Sequence, residues 1–135
     1  RHDVLIAALK RHSAIGADFL KDVSDIDTAI DKLWTHPNMA ESSKLMASAL
    51  LGGVPAESIA EGHALRRLEQ LLTSSGNTAA ETNTTAIAVT LSCLILGWGI
   101  FGNYLTAVAK DMEPEQLRSD VLSILQSLAH YKQDS

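Results

Sequence analysis

A single cysteine, Cys93, leaves the chain unable to form an internal disulfide, and its place in an apolar run predicts a buried thiol rather than a reactive one. Its five histidines, His2, His12, His36, His63 and His130, are scattered. None belongs to a His-x-x-x-His or Glu-x-x-His pair that would build a metal face on a helix. No serine, threonine or cysteine stands at a recognisable spacing from a base, so the sequence gives no sign of an enzyme, a metal or a cofactor. Basic charge is also scarce: the formal net charge is −5, which argues against nucleic-acid binding by these residues themselves. No segment alternates with a period of two, so strands are not expected. Aromatic residues are few, at 4%.

What the chain does have is an uncharged run of unusual length. From Thr82 to Ala109 there is no Asp, Glu, Lys, Arg or His, although charged residues make up 20% of the whole. Such a run admits three readings: a membrane span, a strand leading into a phosphate-binding turn, or a helix buried on several sides. The membrane reading has the length, about 20 apolar residues. Against it, the run is interrupted by Thr85, Thr90, Ser92, Asn103 and Thr106, and no cluster of Lys or Arg flanks it. Gly97-Trp98-Gly99-Ile100-Phe101-Gly102 is literally G-x-G-x-x-G, but a dinucleotide turn belongs in a βαβ unit and no second strand follows.

The third reading fits the spacing. Ile87, Leu91, Leu94, Trp98, Phe101 and Leu105 recur at intervals of three and four, and Val89, Cys93, Leu96, Ile100 and Tyr104 mark a second apolar face. Between them runs a stripe of small residues, Thr85, Ala88, Ser92, Gly99, Gly102 and Thr106, where a neighbouring backbone can approach closely. A helix apolar nearly all round must be covered all round. In 135 residues one cover would be the chain's own core and the other a second subunit.

The remaining segments are also helical in pattern. Asp3 to about Val23 carries Leu5, Leu9, Phe19, Leu20 and Val23 on one face, with His12 and Gly16 as a thinly filled gap best explained by a crowding neighbour. Ser24-Asp25-Ile26-Asp27 resembles a capping box, opening a helix with Ile26, Ile30, Leu33 and Trp34 that stops near His36-Pro37. A short helix after Asn38 ends at Gly52-Gly53, and another is expected from Pro55 to Thr73. Ser74 to Thr85 has loop composition and predicts a mobile linker. Pro114 begins the last helix, with Leu117, Val121, Ile124, Leu125 and Leu128 as its apolar stripe. The expected fold is all-α: one domain over residues 1–135, about six helices, the final two long and antiparallel.

Two stretches resemble the TetR family of transcriptional regulators. Gly62-His63-Ala64-Leu65-Arg66-Arg67-Leu68-Glu69-Gln70-Leu71-Leu72 is similar to a family segment in which a basic pair sits between apolar residues before a loop. Leu94-Ile95-Leu96-Gly97-Trp98-Gly99-Ile100-Phe101-Gly102-Asn103-Tyr104-Leu105 resembles the core of the penultimate helix, and Pro114 to Lys132 looks like the last one. The resemblance implies a cytoplasmic bacterial repressor's effector-binding and dimerisation domain. Its helix-turn-helix would lie upstream of Arg1, so that operator DNA is met only through that absent part. It implies a homodimer joined as a four-helix bundle by the last two helices, and a small, largely apolar effector held among the first five. Effector binding would shift the first helix and alter the separation of reading heads that must match one DNA turn, about 34 Å.

On that footing His12, Trp34, Met46, His63, Trp98 and Phe101 are the ligand-binding candidates. Leu91, Ile95, Trp98, Gly102, Val121, Ile124, Leu125 and Leu128 are the candidates for the dimer interface. Two other classes stay open: an all-helical homodimeric interaction module without a pocket, and a helical enzyme or cofactor carrier using the tryptophan-bearing centre.

Overall fold

A computed structural model of the chain describes residues 2–59, 62–74 and 83–131. The described residues form six α-helices and no strand: α1 (His2–Leu20), α2 (Ile26–Thr35), α3 (Met39–Leu51), α4 (His63–Ser74), α5 (Thr84–Val108) and α6 (Pro114–Leu128), with a single 3-10 turn at Ala56–Ser58. The loop expected between Ser74 and Thr85 falls mostly on residues 75–82, which lie outside the described residues, as do Glu61 and Lys132.

Local chemistry sets most of these boundaries. Asp25, rather than Ser24, caps α2, its carboxylate accepting from the Thr28 backbone N–H at 3.1 Å. The helix ends at Thr35, two residues before Pro37, whose ring disfavours helical backbone at His36, where ψ is 125°. Asn83 caps α5 by accepting from Ala86 N–H at 3.0 Å. Glu113 caps α6, accepting from Glu115 and Gln116 N–H at 3.1 Å each, with Pro114 in the first turn where its missing N–H costs nothing.

The helix expected from Pro55 to Thr73 is not continuous. Pro55 precedes the 3-10 turn, and α4 begins only after Gly62, whose φ of +66° is left-handed backbone that a helix cannot include. The break separates Ile59 from the leucines of α4 and assigns them to different cores. The main core holds Leu20, Val23, Ile26, Ile30, Leu33 and Trp34 with Leu68, Leu71 and Leu72 of α4, Ile87, Leu91 and Ile95 of α5, and Leu125 of α6. A smaller one gathers Leu9, Ala49 and Val54, with Leu5, Ile6, Leu45, Met46 and Ile59 against them.

Helix α1 therefore runs through both cores, and its polar middle lies between them. His12 Nδ1 meets Ser42 Oγ of α3 at 2.7 Å. The expected crowding at Gly16 is absent: a Cβ built there would find nothing within 4 Å. The carbonyls at the end of α1 are met from α4, where Arg67 donates from Nη2 to Val23 O at 2.6 Å and from Nε to Leu20 O at 3.4 Å. A guanidinium there complements the negative end of the helix.

Helix α5 packs chiefly on α3 and α4, and α6 packs on α2 and α5. The close approach predicted from the small-residue stripe occurs within the chain, at Gly99. A Cβ at Gly99 would stand 2.5 Å from Ser43 Oγ and 3.3 Å from Met39 O. Ser43 is itself buried and donates to Met39 O at 2.8 Å. The G-x-G-x-x-G match lies wholly inside α5, which removes the dinucleotide-turn reading.

Candidate functional site

Among the described residues, one side of α5 is covered by the core and another is exposed. Ile87, Ala88, Leu91 and Ile95 face the core, whereas Leu94, Phe101, Tyr104, Leu105 and Val108 are exposed, Phe101 by 57% and Tyr104 by 66%. Spaced seven, three, one and three residues apart along a helix, they fall on one apolar face. By length and composition α5 is the single described helix able to cross a membrane. Of its most apolar 18-residue window, 28% is buried.

Against this face α6 and the end of α2 leave a groove of about 410 Å³. Its walls are Leu94, Phe101, Tyr104 and Leu105 from α5, and Val121, Ile124 and Leu125 from α6. Trp34 and Trp98 lie in it together, their rings stacked with centroids 4.9 Å apart and planes 29° off parallel. Two glycines make that arrangement possible. Gly102 lies beneath the Trp98 ring, where an added Cβ would come within 2.9 Å of it, and Gly97 leaves open space beside it.

The polar content of the groove is small. Cys93 lines it and is exposed, so the expectation of a buried thiol is corrected: residue 93 opens onto the groove rather than into the core. Trp34 is only 6% exposed, and its indole Nε1 is buried with no hydrogen-bond partner among the described residues. No charged side chain is among the lining residues. A second hollow of about 230 Å³ lies farther along the α5–α6 seam, between Ala86, Ile87 and Thr90 and the end of α6 at Leu128 and Tyr131. Among the described residues no three His, Cys, Asp or Glu side chains come together as a metal site.

The ligand-binding candidates separate into distinct places. Trp34, Trp98 and Phe101 share the groove. His12 stands in the α1–α3 seam, Met46 packs on the smaller core, and His63 is exposed in the first turn of α4, its Nδ1 3.4 Å from Arg66 Nη2. One pocket cannot hold all six.

The interface candidates also divide. Leu91, Ile95, Gly102 and Leu125 are buried by their own chain; the first, second and fourth belong to the main core, Leu125 also borders the groove, and Gly102 seats Trp98. Trp98, Val121 and Leu128 are half-buried against that core, and Ile124, 61% exposed, is the one left open. Tyr104, Leu105 and Val108, exposed on the same face of α5, are not among the candidates. Their spacing from Leu94 and Phe101 was visible, but a helix without charges has no polar face to mark which apolar side meets solvent.

Compared with models of protein families, with curated proteins and with solved structures, the chain matches none.

Proposed function

We propose that the chain is the effector-binding and dimerisation module of a TetR-like transcriptional repressor. Two copies join through α5 and α6, packed as antiparallel helices in a four-helix bundle. The observation that carries this is the uncovered apolar face of α5, continued by Ile124 on α6. Contiguous exposed apolar surface of this kind marks an interaction site, and two adjoining helices offering it together suit a bundle. Operator contact belongs to a helix-turn-helix outside these 135 residues, in keeping with the acidic charge of −5, and the setting is the cytoplasm.

Coupling to DNA runs through α1. Arg67 ties the end of that helix to α4, and α4 packs on α5. An effector bound against α5 that favours one arrangement of these helices biases the position of α1 by its difference in affinity for the two arrangements.

Sedimentation equilibrium in detergent-free buffer tests the dimer. The expected species has twice the chain mass of 14.5 kDa at micromolar concentrations. A monomer persisting at tens of micromolar, or a chain soluble only in detergent, would remove this reading; the second result would favour a bilayer as the cover of α5.

A further inference from the structure

Helix α2 is fastened at its two ends by two different histidines, and the two bonds ask opposite things of the imidazole. At its start, His130, two residues beyond the end of α6, sets Nε2 at 3.0 and 3.2 Å from the two carboxylate oxygens of Asp27. An ionised carboxylate only accepts, so Nε2 carries a hydrogen there, and protonating the ring adds charge to a bond already made. Gln126 donates to the Asp27 carbonyl at 3.2 Å and holds the same place whatever that charge. At the far end, His36 follows the last residue of α2, and its Nδ1 accepts the Asn38 backbone N–H at 3.1 Å, closing the turn into α3. That bond needs a bare Nδ1, so His36 is neutral with its proton on Nε2. Protonating Nδ1 sets two N–H donors face to face.

We infer that α2 is a proton-sensitive joint: acid releases its end from the start of α3 and charges the clasp that binds its start to α6. Histidine is the side chain whose charge ordinarily changes between about pH 5 and 8. Among the described residues Asp27 is the charged group at ion-pair distance from His130. The last turn of α6 has no basic side chain, and the stretch of α5 beside Leu128 and Tyr131, from Ala86 to Thr90, is uncharged. Around His36, α1 brings Phe19, edge to face with centroids 4.5 Å apart, and the nearby Asp18 and Lys21, which pair with each other at 3.9 Å. Helix α2 brings Lys32, its Nζ 5.6 Å from the centre of the Phe19 ring, and α3 brings Glu41 in its first turn. An imidazolium that leaves Asn38 stands at the carbonyl end of α2, where positive charge is favoured. Trp34, which stacks on Trp98 of α5, lies two residues before His36, so the end that acid releases is the one reaching the groove.

NMR of the ¹⁵N-labelled chain tests both ends between about pH 8 and about pH 5, where histidine charges while carboxylates ordinarily stay ionised. At the alkaline limit His36 is expected as the Nε2–H tautomer, with a coupling across the hydrogen bond between Asn38 N and its Nδ1. At the acid limit that coupling should vanish and the Asn38 amide proton should move upfield. His36→Asn keeps an acceptor for the N–H two residues on but cannot be protonated, so its Asn38 amide should hold its position throughout. At α6 the readout is exchange protection of the Ala129 amide, which bonds to Leu125 O. Taken as a ratio to His130→Gln at each pH, it should rise about two- to fivefold on acidification, the worth of an exposed ion pair. An Nδ1–H tautomer of His36 at the alkaline limit, or an Asn38 amide that responds alike in wild type and His36→Asn, overturns the release. A protection ratio that stays flat or falls overturns the clasp, and either failure ends the two-ended joint. If His36→Asn does not fold, the wild-type tautomer and coupling still decide the first half.

Discussion

Two glycines only two residues apart in α5 should respond to the same substitution with opposite signs. Alanine at an interior helical position is worth about 1 kcal/mol over glycine, from reduced backbone freedom in the unfolded chain. At Gly97 nothing lies within 4 Å of the added Cβ, so that gain stands alone. At Gly99 the same Cβ falls 2.5 Å from Ser43 Oγ and 2.9 Å from Ser43 Cβ, and 3.3 Å from the Met39 carbonyl oxygen. Ser43 cannot rotate away freely, because it is buried and its hydroxyl is bonded to that carbonyl. Overpacking of this kind costs about 1–3 kcal/mol. Gly97→Ala is therefore expected to be more stable than the wild type by about 1 kcal/mol, and Gly99→Ala less stable by up to about 2 kcal/mol. The difference should be visible as separated urea midpoints by far-UV circular dichroism at one fixed protein concentration. Ser43→Gly placed with Gly99→Ala should recover part of the loss, a coupling that a double-mutant cycle isolates. Equal stability of Gly97→Ala and Gly99→Ala would refute the α3–α5 crossing described here. A Gly97→Ala loss that grows with protein concentration would instead place a second chain over residue 97.

Gly102→Ala should displace the Trp98 ring, which the new Cβ would approach to 2.9 Å, and weaken the near-ultraviolet dichroism of the Trp34–Trp98 stack; an unchanged spectrum would show that the ring does not rest on residue 102. Phe101→Asp with Ile124→Asp should leave a folded chain, both residues being largely exposed, yet raise the dimer dissociation constant at least about a hundredfold, as interface anchors do. Sedimentation that shows an unaltered dimer would move the interface elsewhere. Arg67→Met should lose about 1.5–3 kcal/mol, the range for hydrogen bonds to a charged group, and speed amide exchange where α1 ends. Arg67→Lys should restore little, since one ammonium cannot reproduce the two-nitrogen grip on Leu20 O and Val23 O.

The helices were legible because each advertised itself locally. Asp25 and Pro114 mark starts, Pro37 and Gly52-Gly53 mark ends, and the leucine and isoleucine spacings of α2 and α6 point to one buried side. Contacts that depend on distant partners were not legible. Arg67 meets carbonyls 44 and 47 positions away, and Trp34 stacks on a tryptophan from a different helix. Periodicity assigned Trp98 to both pocket and interface, and the folded chain shows why: the residue stands where the main core gives way to the groove. The break before α4 was missed because Glu57 to Leu72 carries a helical apolar pattern, while the left-handed turn at Gly62 leaves only a lone glycine as its trace.

The two separate cores give the molecule unequal local stabilities. Among the described residues the smaller one encloses Leu9, Ala49 and Val54, and the first half of α1 packs into it. Its end is fastened to the far larger core by Leu20, by Val23 just beyond it and by the Arg67 grip. Opening the first need not disturb the second, so α1 belongs to two cooperative units at once. Native-state hydrogen exchange should resolve them, with amides near Leu9 released by a low-energy subglobal opening and those near Leu20 only by global unfolding. A helix built this way yields at one end while holding at the other, with the His12–Ser42 contact at the boundary.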